Sequence, residues 1–329
     1  MFSRPGATRA AILALLPAFA ACSDAPTSTS AVRDVEGMRA NAGIRTCSRC
    51  ESPIVFDAAA VPGDPVRHIY TVMPDGSGLT QLTSGPHSNR EPSWSSNYHR
   101  IVFTSNRHGG VQNVYSMNAR GQNVTRLTNS AGLPEQSPVL SPDGTKITWV
   151  RHWLNGGTGI LMMNSDGTNE IAFVLPGFNL HPTFSPDSKK ILFSSNLHST
   201  SGSPYDRDIY VMNIDGSGRT RLTWDLAEDN NPVWSPDGSK IFFESDRGGQ
   251  YAIYKMNPDG TNVELVQLAP IGSYIGYISL NAAGTKMLYY SDEKGQQFRA
   301  SGVNGGPSTV IPTPKALTSL GSASWSFAR

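Results

Sequence analysis

An excess of charge of either sign is what this chain lacks first. Its 329 residues carry 27 Lys and Arg against 26 Asp and Glu, a formal net charge of +1. That balance creates no field to gather nucleic acid, so no nucleic-acid partner is expected. Cysteine is scarce too, with Cys22, Cys47 and Cys50 only. A disulfide-built scaffold is excluded, and a lone C-x-x-C falls short of the roughly four ligands that structural zinc needs. After the N-terminal segment no run is apolar enough to span a bilayer, which takes about 20 residues as a helix. No stretch shows an amphipathic helical period. No G-x-S-x-G elbow and no glycine-rich phosphate loop following a strand occur. We therefore expect no catalytic residue, no metal and no cofactor.

The N-terminus is of a different kind. Arg4 and Arg9 precede the apolar run "AAILALLPAFAA", Ala10 to Ala21, and then Cys22. A basic start, a short apolar core and small residues read as an export signal over 1–21. The stretch "FAAC" resembles the bacterial lipoprotein box, which implies lipidation of Cys22. Phe19 stands where that pattern prefers Leu, which leaves ordinary cleavage as the alternative. Ser23 after the Cys implies the outer membrane. Residues 22–50 read as a polar tether. Within it, "CSRC" makes Cys47 and Cys50 a candidate local disulfide in an oxidising compartment. The expectation is an exported, periplasm-facing monomer that touches membrane only through its N-terminal lipid.

From 51 to 329 the chain repeats itself. Apolar runs begin at Ile54, Ile101, Ile147, Ile191, Ile241 and Met287, a spacing of about 44–50 residues that suits four-stranded propeller blades. Each unit has the same grammar. "SPDG" closes a tight turn, because Pro presets φ and Asp-Gly leaves the turn. A β-branched and aromatic strand follows, such as "IVFTS" or "IFFES". A variable loop, a strand such as "DIYVMNIDG" and a polar strand ending in "LT" complete the unit. The first unit lacks its "PxWSPDG" strand, and "SASWSF", Ser322 to Phe327, supplies one at the other end. The fold expected is all-β, a six-bladed β-propeller whose ring is closed by the C-terminal strand joining the first blade.

The unit "PxWSPDGxxIxFxS…IYxMNxDGxxxxxLT" resembles the TolB-type β-propeller repeat, also described as a WD-like Pro-Asp repeat. The resemblance covers Ile54 to the C-terminus and implies the propeller fold. It departs from TolB in having a short tether where TolB carries an α/β domain, so it implies TolB's role only weakly. The repeated Trp94, Leu140, Phe184, Trp234, Leu280 and Trp325 read as packing anchors between blades. So do Tyr70, Tyr115, Tyr210 and Tyr254. The aspartates of the turns read as turn formers, not calcium ligands.

Function is sought where the repeat breaks. Two sets of loops meet at one mouth of the channel, those entering the inner strands and those joining second to third strands. They carry Arg90, Glu91, Glu135, Gln136, His181, Asp229, Asn230 and Tyr274 in the first set, and Arg107, Arg151 and Arg247 in the second. Trp153 and Tyr205 belong to the same rim. Arg with aromatics suits a protein segment or a polar small molecule or glycan. The function expected is a non-enzymatic envelope binding or scaffold module. The alternative is a metal-dependent lyase like the oligogalacturonate-lyase branch, with His108, His152 and His181 converging on a metal.

Overall fold

The computed structural model describes residues 52–325, apart from 62–63, 174, 200–202, 204, 314–316 and 318–319. The expected signal, the tether, Cys22, Cys47 and Cys50 lie outside these residues. All regular structure among them is strand, arranged as six sheets of four. Within each sheet neighbours pair antiparallel, and in blades 2 to 6 they follow chain order from the inside out. The inner strands are Ala323–Trp325 in blade 1, then Asn89–Trp94, Glu135–Leu140, Asn179–Phe184, Asp229–Trp234 and Ile275–Leu280 in blades 2 to 6. This is the six-bladed propeller expected.

Closure follows the expected route. Ala323–Trp325 pairs with Ile54–Ala58, with Trp325 opposite Ile54 and Ala323 opposite Phe56. Trp325 also exchanges hydrogen bonds with Ser279 of blade 6, its N–H donating at 2.7 Å and its carbonyl accepting at 3.0 Å. The strand thus binds blade 1 by its ladder and blade 6 by side chains.

The repeat words have local causes. In "SPDG" the Ser141 hydroxyl donates to Asp143 (2.6 Å) and accepts from the Lys146 N–H (2.9 Å). Ser185–Asp187 and Ser235–Asp237 repeat the pair. These hydrogen bonds hold the aspartates below their usual pKa, led by the serine hydroxyls at Asp187 and Asp237. The "LT" ending is a lock. Thr83, Thr128 and Thr223 each accept the N–H that opens a third strand, from Ile69, Val114 and Ile209, at 2.9 Å.

The core lies between blades. Six apolar clusters fill the six interfaces, one per neighbouring pair. Trp94, Leu140, Phe184, Trp234, Leu280 and Trp325 are all buried there, and so are the four tyrosines of the repeat. Phe56 of blade 1 meets Phe298 of blade 6 edge to face at 5.3 Å, sealing the junction of first and last units.

Candidate binding site at the channel mouth

The inner strands are not regular. Each of blades 2 to 6 carries an extra residue after its second position; in blade 2, Arg90 pairs Thr104 while Ser93 pairs Val102. Two residues oppose one, so the strand bulges. The first bulged residues, Glu91, Ser137, His181, Asn231 and Tyr277, all have φ between +47° and +54°. Side-chain-bearing residues avoid this region, at a cost of about 1–2 kcal/mol. In four blades a proline follows, so the bulge leaves no second N–H to satisfy.

In blades 2, 3 and 6 the N–H freed at the bulge is satisfied by the blade before it. The Glu91 N–H donates to Asp57 (3.1 Å) and the Ser137 N–H to Glu91 Oε2 (2.5 Å). The Tyr277 N–H donates to Glu244 Oε1. His181 Nδ1 lies 2.9 Å from Asn230 Oδ1. Side chains at the channel wall therefore stitch blade to blade, and the stitches hold the strained backbone in place. Gly276 is required here by space alone, since a Cβ would stand 2.3 Å from the Tyr274 hydroxyl and 2.6 Å from Glu244.

The bulges ring a channel of about 640 Å³, within the range of ligand sites. Its wall includes Asp57, Arg67, Arg90, Glu91, Gln136, His181, Asn231, Tyr274, Tyr277 and Tyr290. Burial pushes Glu91 and Glu244 up to about 7, the Glu244 carboxyl being the more enclosed. Glu91 keeps a partial opening to the channel. Burial takes His181 down to about 4, so its imidazole is neutral at pH 7.

The expected site residues divide into two groups. Arg90, Glu91, Gln136, His181 and Tyr274 line the channel. They sit inside the inner strands or directly before them, because the bulges extend pairing to Asn89, Glu135, Asn179 and Asp229. Glu135, Asp229 and the three arginines are engaged as braces instead. Arg151 holds Glu135 at 2.6 Å, Arg247 holds Asp229 at 2.8 Å, and Arg107 donates to Asn89 Oδ1 at 2.7 Å. Arg107 and Arg247 also lie over ring pairs, Phe103 with Tyr115 and Phe243 with Tyr254, at 5.0–5.5 Å. Arg107 and Arg247 pin second-to-third-strand loops to the start of an inner strand, whereas Arg151, expected in such a loop, lies within the strand Lys146–His152 opposite Glu135. Asn230 accepts from the Ser194 hydroxyl at 2.8 Å besides meeting His181.

The histidines stand apart. His108 stacks on Tyr115, with Nδ1 2.7 Å from its hydroxyl, and His198 repeats this pose on Tyr210. His181 is the histidine that lines the channel. Among the described residues no three His, Cys, Asp or Glu side chains group as metal ligands.

Sequence reasoning missed Asp57, Glu244 and Tyr290. They share one slot, the fourth residue of the apolar second-strand run, occupied by Asp57, Thr104, Val150, Ser194, Glu244 and Tyr290. The slot faces the next blade's bulge, and its loss of apolar character in most copies is the signal that would have found it.

The outer surface of this face is also distinct. Val61, Leu154, Tyr205, Trp224, Leu226 and Ile271 are each more than half exposed. All six lie in loops that enter inner strands or join second to third strands, and so surround the mouth. The other exposed large apolar side chains, Tyr277 in the channel aside, sit on the outer strands or immediately before them. The opposite face is built from the polar "SPDG" and "DG" turns.

Comparison with known proteins agrees with this architecture. The TolB beta propeller domain family matches residues 58–171 and 130–317. The chain belongs to this family. Among curated relatives, a TolB homologue of Chlorobium luteolum is 33% identical over 154 residues, covering 47% of this chain and 33% of that protein. A TolB homologue of Chlorobaculum tepidum is 36% identical over 124 residues, 38% of this chain and 26% of that one. The match thus spans a third or less of these relatives. Among solved structures, TolB from Acinetobacter baumannii superposes with a TM-score of 0.70 at 17% identity, covering 83% of this chain and 66% of that one. An oligogalacturonate lyase in complex with manganese gives 0.52 at 15% identity, covering 82% and 76%. Both likenesses concern the fold alone.

Proposed function

We propose that this TolB-family propeller is a non-enzymatic binding scaffold of the cell envelope that captures a protein segment at the channel mouth. The observation that carries it is the ring of exposed apolar side chains on the mouth loops, around a channel with polar walls. An apolar rim gives docking area, and a rigid scaffold holds its loops at little entropic cost. The lyase reading needs a histidine cluster, and His108 and His181 are each engaged with other partners.

Serine at Leu154, Trp224, Leu226 and Ile271 should cut capture of the envelope partner at least tenfold. Because these side chains are exposed, the melting temperature should move by no more than about 2 °C. Serine at Leu265 and Leu268, on the outer strand Glu264–Leu268, is the control. Capture that survives the rim change and fails in the control would place docking on the propeller's side. Asp229 is unsuitable for such a test, since its loss strands Arg247.

We further propose that the chain is exported and anchored through lipid on Cys22, with the outer membrane as its destination. Cys22→Ser should move it from the membrane fraction to the soluble one. A soluble wild-type protein that retains residues 1–21 would refute the signal.

A further inference from the structure

Resting on the docking reading above, we propose that the captured segment presents one lysine or arginine, whose cationic head enters the channel between the Tyr277 ring and the Glu91 carboxyl. The wall of blade 6 is aromatic. Tyr277 touches Tyr274 and Tyr290, with ring centroids 6.2 Å away in each case and planes 74° and 83° apart. These two neighbours fix the ring while 39% of Tyr277 stays exposed. A bulky residue at φ +54° is an outlier, and here the bulge displays its ring at the channel wall. The negative face of a tyrosine ring attracts ammonium and guanidinium groups.

Asp57, Glu91 and Tyr277 line the same channel, and burial first, then the carboxyls of Glu244, Glu91 and Asp57, push the Tyr277 hydroxyl up to about 12. Among the described residues Glu91 forms no ion pair, and its Oε1 takes no hydrogen bond. Arg90 and Arg67 reach Glu91 only through their charge, and their hydrogen bonds go elsewhere. Arg67 holds Asp57 at 2.5 Å, and Arg90 donates to Ser88 Oγ (2.9 Å) and the Pro65 carbonyl (3.1 Å). A carboxylate head is repelled by the ring face and by the ionised form of Glu91, whereas a cation is attracted by both and favours ionisation of a Glu91 carboxyl that burial holds at about 7. The stem of lysine or arginine is apolar, so it can cross the rim with its charge leading.

The test uses Nα-acetyl-lysine amide, Nα-acetyl-arginine amide and, as the uncharged analogue, Nα-acetyl-norleucine amide, titrated into the purified protein by NMR. The two cations should bind saturably, and the norleucine amide at least tenfold more weakly. Glu91→Gln keeps an acceptor for the Ser137 N–H, and Tyr277→Leu keeps bulk without a ring face. Each should weaken the lysine amide at least tenfold when titrated well below its own melting temperature. Norleucine binding as tight as lysine, or lysine binding indifferent to both substitutions, overturns the proposal. The rim-serine protein should still bind the lysine amide, so a failure of the docking reading and a failure of the cation site are separate results.

Discussion

A chain shortened by residues 322–329 should lose the single cooperative melt of the full protein. The deletion removes the inner strand of blade 1, its ladder with Ile54–Ala58, and both hydrogen bonds between Trp325 and Ser279. It also takes Trp325 out of the cluster where it packs with Leu320, Phe56 and Phe298. No other strand can replace it, because every other inner strand already belongs to its own blade. An open ring exposes two apolar blade faces, and the terminal blades should then melt ahead of the rest. The single change Trp325→Ala isolates one part of this. Trp325 is 2% exposed, and such truncations cost about 3–5 kcal/mol. At roughly 2 °C or more per kcal/mol, the melting temperature should fall by about 6–15 °C. Calorimetry that finds the shortened chain melting like the intact one would refute closure by this strand.

Stability should rise as pH is lowered from about 7.5 towards 5, and Glu244→Gln should remove much of that rise. Burial pushes the Glu244 carboxyl from 4.5 to about 7. Between those values the folded protein keeps a proton that the unfolded chain has released. The folded state thus binds more protons, and stability falls as pH climbs through this window. Above pH 7 the fold carries a buried carboxylate, a handicap of at most about 3 kcal/mol. Glu91, up to about 7, and Asp208, up to about 6, act in the same direction. His181 opposes them. Its ordinary 6.5 falls to about 4, so the stability tied to its neutral form is lost as pH drops from 6.5 towards 4. Three carboxyls outweigh one histidine, so the rise should continue below 6.5, be shallower than the carboxyls alone would give, and end near pH 4.5. Glutamine at 244 keeps an acceptor for the Tyr277 N–H and carries no charge. The variant should melt higher than wild type at pH 8, by up to about 6 °C, and should match it near pH 5. A variant less stable at pH 8, with the wild-type slope intact, would show that the carboxylate is not the cause.

The fold was legible because a repeat states the same packing demand six times. Trp94, Leu140, Phe184 and their equivalents recur since every interface needs a large anchor at one place. "SPDG" and "LT" recur since three turns close on the same serine–aspartate hydrogen bond and three third strands on the same threonine. The mouth was legible only in outline. Arg107, Arg151 and Arg247 look like free rim cations in sequence, and folding brings each to a polar residue opening the inner strand of its own blade. Residue type could not distinguish a brace from a contact.

Composition and periodicity alone determined the all-β class, the blade count, the blade shared by the two ends and the face on which variable loops gather. Those features follow from local geometry and from burial that each repeat satisfies in the same way. Tertiary structure alone decided the channel wall. Glu91, Ser137, His181, Asn231 and Tyr277 take a left-handed backbone that none of them prefers, so their own sequence does not announce it. The strain is held by groups on neighbouring blades, Asp57 for Glu91 and Glu244 for Tyr277, each more than 30 residues away in the chain. Closing the ring sets those pairs, and with them the burial that shifts Glu91, Glu244 and His181. An electrostatic environment made by burial between blades does not exist until the blades have met.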